Sequence, residues 1–155
     1  MLQSLLDGLG ISVELVLPYR LQTKGEMMRG CLDQERLRAL AANSTSCGRF
    51  RTYNRQHCGR CVPCLIRRSA FLAWEPESDT TNYRFPSVVG SDKSGGPDDP
   101  MAVALAVLDA KQRGLDRFLG GTLAFASIEE RPDYRRVLKQ GLAELEAVLV
   151  QDQLL

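Results

Sequence analysis

CGRFRTYNRQHCGRCVPCLIRRSAF, running from Cys47 to Phe71, contains four of the chain's five cysteines. Ten residues separate Cys47 from Cys58, and Cys61 and Cys64 then follow at intervals of two intervening residues. The overlapping C-x-x-C units, C-G-R-C and C-V-P-C, fold three thiolates around one point, because Gly59 permits a tight turn and Pro63 fixes its own φ. Cys47 supplies a fourth corner. This is metal-ligand spacing, and four thiolates with no open position describe a closed tetrahedral zinc site of the structural type, in which the metal staples loops and performs no chemistry. The expected ligands are therefore Cys47, Cys58, Cys61 and Cys64. Two alternatives stay open: a pair of disulfides, which a setting without secretion features disfavours, and an iron–sulfur cluster, since ferredoxin-like runs also repeat C-x-x-C with a different fourth spacing. His57 adjoins Cys58 and is a replacement ligand only if one cysteine stands aside.

Charge around the cysteines follows from the metal. Zinc bound by four thiolates carries a formal charge of about −2, and six arginines lie between Arg49 and Arg68, with no Asp or Glu from Cys47 to Trp74. That exceeds what the cluster requires, so part of this surface is expected to face a phosphate or another anion. Phe50 and Tyr53 sit among Arg49, Arg51 and Arg55, an interleaving that also suits nucleic acid.

At 155 residues, with 44% apolar and 25% charged side chains, the chain has the composition of an ordinary globular protein of one domain or slightly more. A formal charge of +1 gives no global attraction for nucleic acid or membrane, so anion binding has to be local. No run reaches the eighteen or so apolar residues of a membrane span and no charged-then-apolar leader is evident. With a thiolate metal site, this points to a reducing, cytoplasmic setting and to no membrane partner.

Upstream, Met1 to Leu9 has helical apolar spacing closed by Gly8 and Gly10. Ile11, Val13, Leu15 and Leu17 then alternate until Pro18, as in a buried strand. A helix followed by a strand is the pattern of the last crossover of a doubly wound sheet, so the chain is expected to begin within such a domain. Thr23-Lys24-Gly25-Glu26 forms a capping box, with a helix starting at Lys24. Asp33 caps the next, which carries Leu37, Leu40 and Ala41. Cys31 reads as a core thiol.

Downstream, Cys64 leads into a helix through Leu65, Ile66, Ala70, Phe71 and Trp74, ended by Pro76, whose apolar side is expected to cover the metal. Glu75 to Pro100 is a linker or wrapped loop, broken by a strand-like run from Tyr83 to Val89 that Pro86 confines to an edge. A helix follows from Pro100 to Gly114, with Met101, Val103, Leu105, Val107 and Leu108 apolar. A last one begins near Pro132 and bears Tyr134, Val137, Leu138, Leu142, Leu145, Val148 and Leu149; the two are expected to pack together.

H-C-G-R-C-V-P-C-L-I-R-R, preceded in register by P-Y-R-L-Q-T-K-G-E-M at Pro18 to Met27, resembles the 7-cyano-7-deazaguanine synthase (QueC) family, most of all the QueC-like members of Qat anti-phage systems. The resemblance covers about the first half of the chain well and the rest loosely. In the family these motifs form the back half of a larger adenine nucleotide alpha hydrolase-like (PP-loop) enzyme. It implies an ATP-dependent carbon–nitrogen ligase that activates a 7-deazaguanine-type carboxylate for amide or nitrile formation in queuosine biosynthesis, with ATP and Mg²⁺ as cofactors beside the structural zinc. It also places Thr23, Lys24 and Glu26 on the nucleotide and substrate side. The family's phosphate loop, S-G-G-x-D-S, is not matched credibly: Ser94-Gly95-Gly96-Pro97-Asp98-Asp99 lies after the cysteines, follows no strand directly, and reads as a Gly-rich turn and helix cap.

The expected fold is mostly α with one or two short strands: residues 1–46 end an α/β nucleotide-binding-type domain, 47–76 form the zinc module, 77–99 the linker or wrapped loop, and 100–155 a helical segment. By resemblance the chain is the zinc-bearing C-terminal part of such a ligase, inactive alone, and completed by an N-terminal ATP-binding half, another subunit or a copy of itself. The alternative is a non-enzymatic zinc module that binds nucleic acid or a partner protein.

Overall fold

The computed structural model describes residues 2–90 and 99–155. The Gly-rich turn at residues 94–98 lies outside them. Seven α-helices account for the described architecture: α1 (Leu2–Gly8), α2 (Lys24–Arg29), α3 (Gln34–Ala41), α4 (Val62–Trp74), α5 (Asp99–Arg113), α6 (Leu115–Leu119) and α7 (Arg131–Gln151). Extended pairing is limited, among the described residues, to one isolated parallel bridge between His57 and Tyr83. The fold is thus helical around a four-cysteine cluster, and neither expected strand forms.

The reason is visible at Ile11–Leu17. A strand needs a ladder partner for its alternate amides and carbonyls, and here a side chain stands in for one. The Gln3 Nε2 donates to the Val13 carbonyl at 2.9 Å and the Leu15 amide donates to Gln3 Oε1 at 2.8 Å. With no sheet beside them, Ile11, Val13 and Leu15 remain 44%, 51% and 43% exposed. The second strand-like run, Tyr83 to Val89, turns inward: Phe85 and Val88 are buried, and its first residues meet the backbone of His57 and Cys58.

Two cores are stitched together by neighbouring residues. In one, Leu65, Val88, Val103, Ala104, Val107, Val148 and Leu149 join α4, α5 and α7; in the other, Phe85, with Phe50 and Tyr53 packed against it, surrounds the four cysteines. Adjacent residues Cys64 and Leu65 of α4 face different cores, as do Phe85 and Val88 of the loop. The four cysteines are therefore covered by Phe50, Tyr53 and Phe85, while the apolar side of α4, expected to cover the metal site, serves the helical core. α5 and α7 pack together as expected, but on α5 only Pro100, Val103, Ala104 and Val107 are buried, and Met101, Leu105 and Leu108 are exposed.

The capping box forms as read: the Glu26 amide donates to Thr23 Oγ1 at 3.1 Å and the Thr23 amide to Glu26 Oε2 at 2.8 Å. Thr23 Oγ1 also donates to the buried Glu144 of α7 at 2.7 Å, fastening α2 across more than a hundred residues of chain. Gly25 makes the approach feasible, since a Cβ there meets Glu144 Oε1 at 2.8 Å and Ala73 Cβ of α4 at 2.9 Å. Ala73 is fixed to a helix and cannot yield. We expect Gly25→Ala to lower unfolding stability by about 1–3 kcal/mol, the cost of overpacking a close contact, seen as a lower denaturation midpoint. An unchanged midpoint would mean that α2 does not seat this tightly.

Candidate metal centre

The knuckle is built by local geometry. Gly59 adopts φ +86°, and a Cβ there would lie 2.6 Å from the Phe85 carbonyl, so only glycine fits the turn between Cys58 and Cys61. Pro63 sits in the first turn of α4, where its missing amide costs nothing, and Cys64 faces inward from the same turn. Cys47 arrives from the segment after α3. All four cysteines are buried, and their sulfurs lie within 4.8 Å of one another.

Two of the separations decide the chemistry. Cys47 Sγ is 3.9 Å from Cys61 Sγ and Cys58 Sγ is 3.8 Å from Cys64 Sγ. A tetrahedron with Zn–S bonds of about 2.3 Å has sulfur–sulfur edges of about 3.8 Å, so the set fits one tetrahedral metal such as zinc. A disulfide requires about 2.05 Å, and all five cysteines are free thiols. A cubane cluster places a separate iron under each thiolate and spreads the sulfurs by the width of the cube, which this spacing does not allow.

Backbone amides aim at the sulfurs. Those of Arg49 and Cys58 donate to Cys47 Sγ, each at 3.3 Å, and those of Arg60 and Cys61 donate to Cys58 Sγ at 3.5 and 3.2 Å. Such donors stabilise thiolate charge. The hydrogen bond shared with Cys64 Sγ, helped by these amides, holds Cys58 well below the ordinary thiol range. The same shared proton and burial push Cys64 up, and burial pushes Cys61 up. A metal ion would supply the charge that removes the protons from Cys61 and Cys64.

His57 stays outside the ligand set. Its ring is buried edge-on between Phe50 and Tyr83, its Nδ1 has no partner among the described residues, and burial together with the Arg67 charge lowers its pKa. Three arginines that looked like anion ligands are clasps. Arg60 donates to the carbonyls of Ser87 and Val89 and covers the Phe85 ring; Arg68 donates to those of Gly59, Phe85 and Pro86 and covers Tyr83. Arg67 binds the end of α3, Ser44 and Thr81. No pattern in the sequence separates these inward arginines from Arg49, Arg51 and Arg55, because their acceptors come from segments that only the fold brings near: chiefly the 83–90 loop for Arg60 and Arg68, and residues 41–44 with Thr81 for Arg67.

The residues assigned to the nucleotide side by resemblance divide. Thr23 is buried on Glu144, and Glu26 is held by Arg136 at 2.6 Å. Burial opposes its ionisation, but the Thr23 amide and Arg136 outweigh that and keep its pKa low. Lys24 instead stands exposed on the rim of a cleft of about 900 Å³ between α2, α3 and α4, lined by Met27, Met28, Leu37, Leu40 and Phe71 among others. Cys31, expected in the core, is only partly buried and lines this cleft.

No family model matches the chain, and no curated protein or solved structure matches it. No described helix is long and apolar enough to cross a membrane.

Proposed function

We propose that this chain is the zinc-bearing part of a QueC-like ATP-dependent ligase that acts on a 7-deazaguanine-type carboxylate, and that a separate nucleotide-binding element completes it. The reading is supported by two motifs in register and carried by one structural observation. Gly25 seats the T-K-G-E helix directly against Ala73 of α4, the helix that begins at the last metal ligands, so α4 links the cysteine knuckle at its start to the helix that carries Lys24 at its end. In this reading zinc fixes α4, α4 fixes α2, and Lys24 offers a positive charge to the nucleotide's phosphates. Thr23 and Glu26 position it through the capping box, and ATP with Mg²⁺ enters with the partner. The exposed, unpaired run from Ile11 to Leu17 gives that partner an edge to extend.

The test is turnover with ATP, Mg²⁺, ammonia and a 7-deazaguanine carboxylate. The 155-residue chain alone is expected to release no AMP and pyrophosphate. Adding a polypeptide encoded beside it that carries a strand followed by S-G-G-x-D-S is expected to produce both, and Lys24→Ala to reduce that rate by about ten- to a hundredfold, the usual range for an electrostatic contact made at reaction. Turnover by the chain alone, abolished by replacing Gly95 and Gly96, would overturn the reading, as would an inactive mixture.

A further inference from the structure

The outer face of the knuckle carries charge that its interior does not use. Of the six arginines between Cys47 and Trp74, Arg60, Arg67 and Arg68 point inward to carbonyls and rings. Those three already exceed the formal charge of about −2 on a zinc tetrathiolate. Arg49, Arg51 and Arg55 are exposed, and exposed Arg84 adjoins them, its amide donating to the His57 carbonyl at 2.8 Å. Among the described residues none of these four makes a salt bridge, although arginines elsewhere are paired, as Arg38 with Glu75, Arg113 with Asp109 and Arg135 with Asp116. The near-neutral total of +1 therefore conceals a local excess of positive charge.

The backbone points the same way. Residues 47–56 form a tight sequence of turns in which the Phe50, Tyr53 and Arg55 amides donate to the carbonyls of Cys47, Arg49 and Phe50. Asn54 and Arg55 are both left-handed, at φ 50° and 62°. For an arginine this conformation costs about 1–2 kcal/mol, which glycine would avoid. Strain of this kind is held where a side chain has to be presented in a fixed direction. The two aromatic residues are turned the other way: Phe50 packs edge-on against His57 and Tyr53 against Phe85. Half-buried in these edge contacts, the two rings leave little face for stacking on bases, which weakens single-strand recognition. What remains is a group of exposed guanidinium forks carried on this tight backbone and suited to phosphates.

We propose that Arg49, Arg51, Arg55 and Arg84 form a docking surface for the phosphodiester backbone of duplex nucleic acid, engaged without base contacts. The inference does not depend on the ligase reading, and either can fail alone.

Binding of the full, metal-loaded chain to a fluorescein-labelled duplex, as DNA and as RNA, is measured by fluorescence anisotropy across a salt series. With about 0.9 counterions released per phosphate, four contacts give a slope of log K against log salt of roughly −3 to −4. Arg49→Gln/Arg51→Gln/Arg55→Asn, in which Asn keeps the left-handed turn, is expected to flatten the slope by about 2.7 and to weaken binding more than tenfold at unchanged metal content and circular dichroism. Arg36→Gln/Arg113→Gln/Arg117→Gln removes equal charge from exposed positions elsewhere and is expected to retain the slope. A difference between DNA and RNA identifies the preferred duplex. Equal loss in both triple variants, tighter binding of the corresponding single strand, or displacement of the duplex by polyglutamate or phosphatidylserine vesicles would overturn the proposal.

Discussion

Chelation of the metal, or replacement of any one of Cys47, Cys58, Cys61 and Cys64 by serine, is expected to unfold residues 44–90 and to loosen the packing of α5 on α7. Structural zinc at four thiolates contributes an apparent binding free energy of about 10–16 kcal/mol near neutral pH, comparable with or larger than the roughly 5–15 kcal/mol that separates a native domain from its unfolded chain. Apart from the Arg60, Arg67 and Arg68 clasps, the apolar cover around the sulfurs is limited to Phe50, Tyr53 and Phe85. The effect spreads through shared neighbours: Cys64 and Leu65 are consecutive, and the loop that carries Phe85 also places Val88 in the helical core. The Val88 amide is in turn fixed to Asp152 at 2.6 Å, beyond the end of α7. Metal analysis is expected to give one zinc per chain in the wild type and in Cys31→Ser and His57→Gln, and none in the four ligand variants. Amide hydrogen exchange after chelation is expected to lose protection first in α4 and the 83–89 loop, then in α5 and α7. A brown protein with iron in equimolar multiples, or zinc removal without loss of protection, would defeat the assignment.

The cysteine set was legible because covalent spacing alone brings Cys58, Cys61 and Cys64 together, whatever the rest of the chain does. Helix starts were legible for a similar reason. The signals at Thr23, Asp33, Pro100 and Pro132 are local, and helices begin at Lys24, Gln34, Asp99 and Arg131. Short α6 has no such signal and was not anticipated. The alternation at Ile11–Leu17 misled because period-two patterning records which face wants burial, while a strand exists only when another backbone supplies the ladder; within the described residues Gln3 is the substitute. The direction of an arginine is equally non-local. Arg51 and Arg67 look alike in sequence, yet one is exposed and the other 5% exposed. Nothing near Glu144 announced that its carboxylate would be buried under Thr23 and Gly25, since that contact joins residues more than a hundred positions apart.

Arg67→Ala is expected to cost about 3 kcal/mol of unfolding stability while leaving the metal bound. The guanidinium gives Nη2 to the Ala41 and Ala42 carbonyls at 2.8 and 3.0 Å, Nη1 to the Ser44 carbonyl and hydroxyl at 3.1 and 2.9 Å, and Nε to Thr81 Oγ1 at 3.1 Å. Its plane also lies over Phe71, 5.1 Å from the ring centre. One side chain on α4 thus holds the end of α3, the approach to Cys47 and the turn before Tyr83. Its buried charge has no carboxylate partner among the described residues; it is offset by the carbonyls at the C-terminus of α3, where the helix dipole is negative. Truncation leaves several of these acceptors without a donor, and each buried loss costs about 1–3 kcal/mol, partly offset because an unneutralised cation no longer has to be buried. Lysine carries the charge as a point and cannot reach three segments at once, so Arg67→Lys is expected to recover less than half of the loss. Arg51→Ala, on the exposed face, is expected to change stability by no more than about 0.5 kcal/mol. Urea denaturation of the three variants at equal zinc content separates the cases. Equal midpoints for Arg67→Ala and Arg51→Ala would show that metal coordination alone holds α3, α4 and the following loop in register.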